Sequence, residues 1–95
     1  MHSAVRRYQV TDMDELVRKV EAEFVDQVKG VDGFVGYYVI DGGDGTAVSV
    51  TVGETEQAVE RSTALARDWV QQNAADLVEG APEVTTGEVR VRAER

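Results

Sequence analysis

The chain has 95 residues, no cysteine and a formal net charge of -8. This length fits one domain, residues 1–95, and the missing cysteine excludes disulfides, thiolate metal sites and cysteine nucleophiles. The acidic excess, with no continuous basic tract, argues against nucleic acid or an anionic membrane as a partner. No apolar run has the length of a membrane span, and the first residues lack the apolar core of a signal peptide, so a cytoplasmic location is expected.

The first third of the chain predicts a strand followed by an amphipathic helix. Residues 5–10 contain β-formers, and Thr11 stands where a helix N-cap is expected, with Asp14 in the reciprocal capping position. Apolar residues then recur at steps of three and four: Leu16, Val17, Val20, Phe24 and Val28. The helix is predicted to stop at Gly30.

The middle of the chain predicts a β-hairpin. Residues 34–40 are dense in aromatic and branched side chains, and residues 41–45 are aspartate and glycine, which favour a turn. Residues 46–52 alternate strictly. Alternation places the three valines of this strand on one face and its small, mildly polar residues on the other: Val48, Val50 and Val52 against Ala47, Ser49 and Thr51.

A second helix and a last strand are predicted for the remainder. Thr55 is the candidate N-cap, and Gly80 with Pro82 is predicted to end the helix. The expected buried side of the helix consists of Val59, Ser62, Leu65, Ala66, Trp69, Val70, Asn73 and Leu77. Residues 84–93 alternate between apolar and charged side chains and are predicted to form the final strand.

The resulting order, strand, helix, strand, strand, helix, strand, predicts an α+β fold of the ferredoxin-like βαββαβ plan. In this plan two helices cover one face of a four-stranded antiparallel sheet, and the other face stays open. A four-strand barrel is the competing interpretation, but it has no place for two long amphipathic helices. A domain this small would gain stability from a second subunit that covers the open face.

The sequence resembles the antibiotic-biosynthesis-monooxygenase-like (ABM-like) domains over nearly the whole chain. The resemblance is carried by four segments, which are Val5-Arg6-Arg7-Tyr8, Asp32-Gly33-Phe34, Gly43-Asp44-Gly45 and Ala66-Arg67-Asp68-Trp69-Val70. It implies a ferredoxin-like subunit that pairs through its sheet faces into a homodimeric α+β barrel. That superfamily includes cofactor-independent monooxygenases acting on aromatic polyketides or quinols, and haem-degrading enzymes, with the substrate between sheet and helices.

The pattern of the haem-degrading relatives is matched only in part. These relatives use an asparagine on the first strand with a tryptophan and a histidine on the second helix. Trp69 matches the tryptophan, but the first strand offers Tyr8 or Gln9, and the second helix has no histidine. The resemblance therefore gives little support to haem degradation.

The candidate site residues are mainly aromatic. The catalytic candidates are Trp69, Tyr8 and Tyr38, and the ligand-binding candidates are Asn73, Tyr37 and Arg90. An indole can stack on a flat substrate while a tyrosine hydroxyl donates a hydrogen bond, although core packing is the plainer explanation of Trp69. Arginines on the neighbouring first and last strands suit salt bridges across a dimer interface or an anionic ligand.

No metal site or cofactor is predicted. His2 is the only histidine and stands at the chain terminus. A lone imidazole cannot make a metal site.

Two functions are consistent with these residues. The first is a homodimeric, cofactor-independent monooxygenase that oxidises a small phenol- or quinol-like compound near Trp69. The second is a non-catalytic protein of the same fold that binds a small molecule or acts as a dimerising accessory. An open cavity beside Trp69 favours the first function, and a filled interior favours the second.

Overall fold

Four strands and two helical segments follow one another in the predicted order. A computed structural model describes all 95 residues. Its elements are β1 (His2–Val10), α1 (Met13–Lys19), a π-helical turn (Val20–Phe24), α2 (Val25–Lys29), β2 (Phe34–Asp41), β3 (Thr46–Gly53), α3 (Glu56–Asn73), a 3₁₀ turn (Ala75–Leu77) and β4 (Val78–Glu88). The strands form one antiparallel sheet in the order β2-β3-β1-β4. The ferredoxin-like prediction is confirmed.

Asp12 is the N-cap of the first helix, α1, and the prediction of Thr11 as that N-cap was wrong. The Asp12 side chain accepts a hydrogen bond from the backbone N–H of Glu15 at 3.1 Å. Thr11 instead contacts the 3₁₀ turn that precedes β4, and its N–H donates to the carbonyl of Leu77 at 2.9 Å. The predicted end at Gly30 is confirmed.

The second predicted helix, α3, begins as predicted but ends earlier than predicted. Thr55 accepts a hydrogen bond from the N–H of Ala58 at 3.1 Å. The helix ends at Asn73, not at Gly80, and β4 runs over Val78–Glu88 and not over residues 84–93. Both corrections have one cause, which lies in the pairing of β4 with β1.

Gly80 and Pro82 form a β-bulge in an edge strand. The register of β4 against β1 shifts here, so that residues 80–82 lie opposite Tyr8 alone. Gly80 takes φ +68°, which a residue with a side chain rarely adopts, and Pro82 is tolerated because β4 is an edge strand. The residues that suggest a helix end therefore bend a strand.

The predicted hairpin is confirmed at residues 41–45. The Asp41 carboxylate accepts a hydrogen bond from the N–H of Gly43 at 3.0 Å. Gly45 has φ +77°, and a β-carbon there would lie 2.9 Å from the carbonyl oxygen of Val10. The turn therefore requires glycine at this position.

The two faces of the sheet differ in the size of their side chains. Toward the helices, β3 presents the small residues Ala47, Ser49 and Thr51, all buried. This leaves room for the large core side chains Phe24 and Trp69 of the two helical segments. The other face, called the open sheet face, carries the apolar side chains Val5, Tyr38, Ile40, Val48, Val50 and Val52. It also carries Arg7, which lies between Val48 and Glu83.

None of the helices is both long enough and apolar enough to cross a membrane.

Candidate functional site

A narrow cavity lies between the helices and the inner face of the sheet. This inner slot is lined by Tyr8, Leu16, Val20, Phe24, Tyr37, Val39, Ala47, Ser49, Ala66, Trp69, Val70 and Val78. Eleven of these twelve residues are hydrophobic, and the volume is about 30 Å³. That is close to the share of one water molecule in the liquid, so the slot in this form is too small for an aromatic ring.

Three aromatic rings form one side of the inner slot. Phe24 lies between the other two, with its ring centroid 5.4 Å from that of Tyr37 and 5.6 Å from that of Trp69. Phe24 belongs to the π-helical turn, a type of helix irregularity that is frequent at functional sites. Trp69 is only 4% exposed, and its Nε1 has no hydrogen-bond acceptor. A buried donor without a partner is costly, so this group calls for an explanation.

Arg6 is a buried cation whose hydrogen-bond partners are all neutral. Its residue exposure is 1%. Nε donates to the hydroxyl of Ser49 at 3.0 Å, one terminal nitrogen to Thr63 at 3.0 Å and the other to Thr51 at 2.8 Å. Arg6 is absent from the ion pairs of the structure, which all lie among exposed side chains. β1 and β3 hold this guanidinium beneath α3.

A wider groove opens between α3 and the bulge of β4. This outer groove has a volume of about 480 Å³ and is lined by Arg6, Tyr8, Thr63, Arg67, Val70, Gln71, Val78, Gly80, Ala81, Pro82 and Val84. It shares Tyr8, Val70 and Val78 with the inner slot. The volume lies in the range of small-molecule sites. The two spaces are therefore neighbouring compartments with Tyr8 at their boundary.

The two inward-facing tyrosines keep their protons at neutral pH. Burial raises the pKa of Tyr37 to about 12, and the positive charge of Arg6 offsets only part of that effect. Burial also raises the pKa of Tyr8, again against the opposing charge of Arg6. Both hydroxyls are therefore hydrogen-bond donors and not bases at neutral pH.

The raised pKa of Tyr37 makes stability fall in strong alkali. Below pH 10 the Tyr37 hydroxyl is protonated in both the folded and the unfolded chain. Above pH 10 the unfolded chain loses this proton first, so the free energy of unfolding falls as the pH rises toward about 12. We expect this group to contribute a loss of up to about 2–3 kcal/mol between those limits. Urea unfolding at a series of alkaline pH values measures it, with Tyr37→Phe as the control. Equal alkaline losses in both proteins would contradict the assignment.

Three of the predicted site residues lie away from the inner slot. Tyr38 is on the open sheet face and is 60% exposed, because it neighbours Tyr37 in a strand and so points the opposite way. Asn73 donates from its side chain to the backbone carbonyl of Trp69 at 3.2 Å. Arg90 lies beyond β4, is exposed, and has its Nε 3.6 Å from a carboxylate oxygen of Glu88. Tyr8, Tyr37 and Trp69 are brought together.

Sequence reasoning did not single out Arg6, Phe24, Thr63 or Arg67 as site residues. Arg6 and Tyr8 stand two apart in β1 and so share a face, which is a signal that connects the arginine to a candidate tyrosine. The corresponding signal for Arg67 is its separation of four residues from Gln71 and three from Val70 along α3. No signal of this kind marks Thr63, because its role depends on the packing of α3 over Arg6.

The fold of the chain is similar to that of several solved structures. No protein-family model matches the sequence, and no curated protein sequence matches it. A monooxygenase from the gene ActVA-Orf6 of Streptomyces coelicolor, in complex with nanaomycin D, has a TM-score of 0.75 at 20% identity, over 99% of this chain and 91% of that chain. The cofactor-independent oxygenase SnoaB of Streptomyces nogalater has a TM-score of 0.73 at 18% identity, over 99% and 97%.

A third similar structure binds a porphyrin. MhuD, in a mutant form with two manganese protoporphyrin IX molecules per active site, has a TM-score of 0.73 at 17% identity, over the full length of both chains. At such identities the likeness establishes the fold. The chain accordingly has the fold of the antibiotic-biosynthesis-monooxygenase-like domains.

Proposed function

We propose that this protein is a cofactor-independent monooxygenase of small phenol- or quinol-like compounds. The observation that carries the proposal is the buried indole N–H of Trp69, which has no acceptor and belongs to a slot that also holds Tyr8 and Tyr37. A ligand oxygen bound there would satisfy the indole donor. The fold shared with two oxygenases supports the same conclusion.

The reaction can proceed on electrons from the substrate alone. A ring carbon of the hydroquinone exchanges its hydrogen for a hydroxyl group, and the ring is oxidised to the quinone, which gives a hydroxyquinone. The second oxygen atom of O₂ leaves as water. The four electrons required all come from the hydroquinone, so no external reductant takes part. The electron-rich species that meets oxygen is the hydroquinone after loss of a proton.

The residues of the site favour that anion. The positive charge of Arg6 lies beneath the shared boundary of the two compartments and lowers the free energy of a phenolate nearby. The protonated hydroxyls of Tyr8 and Tyr37 are available as donors to its oxygen. No carboxylate or imidazole lines either compartment. The proton therefore leaves to solvent through the outer groove, and the reaction rate is expected to rise with pH up to the pKa of the quinol.

Because the inner slot holds about 30 Å³, ring binding requires the ring to lie in the outer groove or the slot to widen. Widening by movement of Phe24 is consistent with its place in the π-helical turn, where the helical hydrogen bonding is already irregular. The same small volume favours the second candidate function, a non-catalytic protein that binds a small molecule or serves as a dimerising accessory.

Oxygen uptake with a series of hydroquinones distinguishes the two functions. We expect one O₂ to be consumed for each hydroxyquinone formed, without accumulation of hydrogen peroxide. Removing the hydroxyl in Tyr8→Phe is expected to lower kcat at least about tenfold, as for loss of a donor to a developing anion. Tyr38→Phe is the matched control, since Tyr38 lies on the other face of the sheet, and it should retain full activity. Oxygen consumption no faster than in buffer would identify the non-catalytic function.

We also propose that two copies of the chain pair through the open sheet face. Valines, a tyrosine and an isoleucine form an apolar patch there, bordered by Arg7 and Glu83, in a domain too small to cover it with its own helices. Pairing by a two-fold axis brings each such surface onto its copy. The dimeric α+β barrel implied by the sequence resemblance has this arrangement.

A further inference from the structure

The two compartments of the site are free of acidic side chains in an acidic protein. The chain has 18 aspartates and glutamates against 10 lysines and arginines. None of the 18 lines the inner slot or the outer groove, whereas Arg6 and Arg67 both line the groove. The other large surface grooves of the chain include aspartate or glutamate. The outer groove is therefore a positive site on a negative protein.

An anion close to Arg6 would be energetically favourable, because this cation is buried without a charged partner. A buried guanidinium is costly unless it is paired, and here it faces three neutral hydroxyls. These three bonds use three of its five N–H donors. A negative charge in the adjoining groove would interact with this cation across a poorly screened environment.

Arg67 supplies a second, accessible cation on α3. Its Nε lies 3.7 Å from a carboxylate oxygen of the neighbouring Asp68, and both side chains are exposed. An exposed ion pair of this length is weak, so the guanidinium is available to bind another anion. Val70 and Pro82 add apolar surface to the same groove. Charge and apolar surface thus occur together within about 480 Å³.

We infer that the outer groove binds the carboxylate of a planar aromatic acid, so that the substrates of this protein are aromatic acids bearing the oxidisable phenol or quinol ring. The carboxylate lies near Arg67, above the buried Arg6, and the ring packs against Val70, Val78 and Pro82. This inference rests on the proposed function for the reaction but not for the binding.

Isothermal titration calorimetry with two probes of similar shape tests the binding. The probes are 1-naphthoate, which is anionic at neutral pH, and 1-naphthylmethanol, which is neutral. We expect 1-naphthoate to bind at least about tenfold more tightly, and the difference to shrink as salt is added. The fluorescence of Trp69, the one tryptophan of the chain, gives a second readout from the neighbouring slot. Equal affinities for the two probes would overturn the inference.

Two substitutions on the same helix locate the site. Arg67→Gln is expected to weaken 1-naphthoate binding about two- to fivefold without changing the affinity for 1-naphthylmethanol. Arg61→Gln makes the same charge change at an exposed position of α3 that does not line the groove, and it should leave both affinities unchanged. Equal weakening in both variants would show an effect of net charge alone and would contradict a groove site.

Substitution of Arg6 tests the buried charge. Arg6→Gln is expected to weaken 1-naphthoate binding at least about tenfold, provided that circular dichroism shows a folded protein. If that variant does not fold, the Arg67 and Arg61 pair and the salt dependence still decide. Selective binding of 1-naphthoate without oxygen uptake would support this inference and refute the monooxygenase. Oxygen uptake with neutral quinols but no preference for the anionic probe would do the reverse.

Discussion

Replacing Trp69 with alanine is expected to lower the free energy of unfolding by about 3–5 kcal/mol. The indole is 4% exposed and packs against Phe24 in the cluster that joins the helices to the sheet. The substitution removes this contact and enlarges a space that already exists beside it. Urea unfolding at neutral pH, followed by circular dichroism, measures the change.

Trp69→Phe is the matched variant for the same measurement. It keeps an aromatic ring next to Phe24 and removes the N–H that has no acceptor, so part of the lost packing is offset by the lost desolvation cost. We expect less than half of the destabilisation of the alanine variant. A loss below about 1 kcal/mol for Trp69→Ala would show that the core collapses onto the gap, and would contradict rigid packing at this position.

Trp69→Phe also separates stability from ligand binding. A folded Trp69→Phe protein with undiminished affinity for a quinol would contradict the role proposed for the indole N–H. A folded protein with weakened affinity would support that role.

Replacing Val50 with lysine is expected to dissociate the proposed dimer. Val50 pairs with Val5 on one side and Tyr38 on the other, so it stands in the middle of the open sheet face. Two-fold symmetry would bury the new ammonium group twice, at several kcal/mol for each charge. We expect the dimer dissociation constant to rise by at least about a hundredfold.

Analytical ultracentrifugation over a dilution series measures the dissociation constant. Val91→Lys is the control, because Val91 is 89% exposed, lies beyond β4 and offers the same change of side chain outside the sheet. A wild-type protein that stays monomeric at the highest concentration would refute the dimer outright. Equal dissociation in both lysine variants would place the interface elsewhere.

Local sequence signals were sufficient for the order and type of the elements. Thr55 and Gly30 mark helix ends through interactions within a few residues, and the aspartate and glycine run at 41–45 strongly favours a turn. The strict alternation of residues 46–52 identifies a strand and separates its side chains into two sets. All of these depend on contacts close in sequence, which is why the sequence predicts them.

Tertiary packing decided which set faces the helices. Alternation is symmetric with respect to the two faces, and hydrophobicity alone favours the valines of β3 as the buried set. The structure buries the small residues instead, because Phe24, Trp69 and the guanidinium of Arg6 fill the space above them. The same choice of face brings Tyr37 into the slot and places Tyr38 outside it.

Gly80 and Pro82 are a second case in which local sequence preferences do not decide the structure. Both residues are typical of a helix end, and their local preferences fit that interpretation as well as they fit a bulge in an edge strand. Pairing with β1, a contact between residues about seventy positions apart, selects the bulge and with it the wall of the outer groove. The sequence alone determined the elements and their order, while long-range packing decided the faces, the groove and the burial of Arg6.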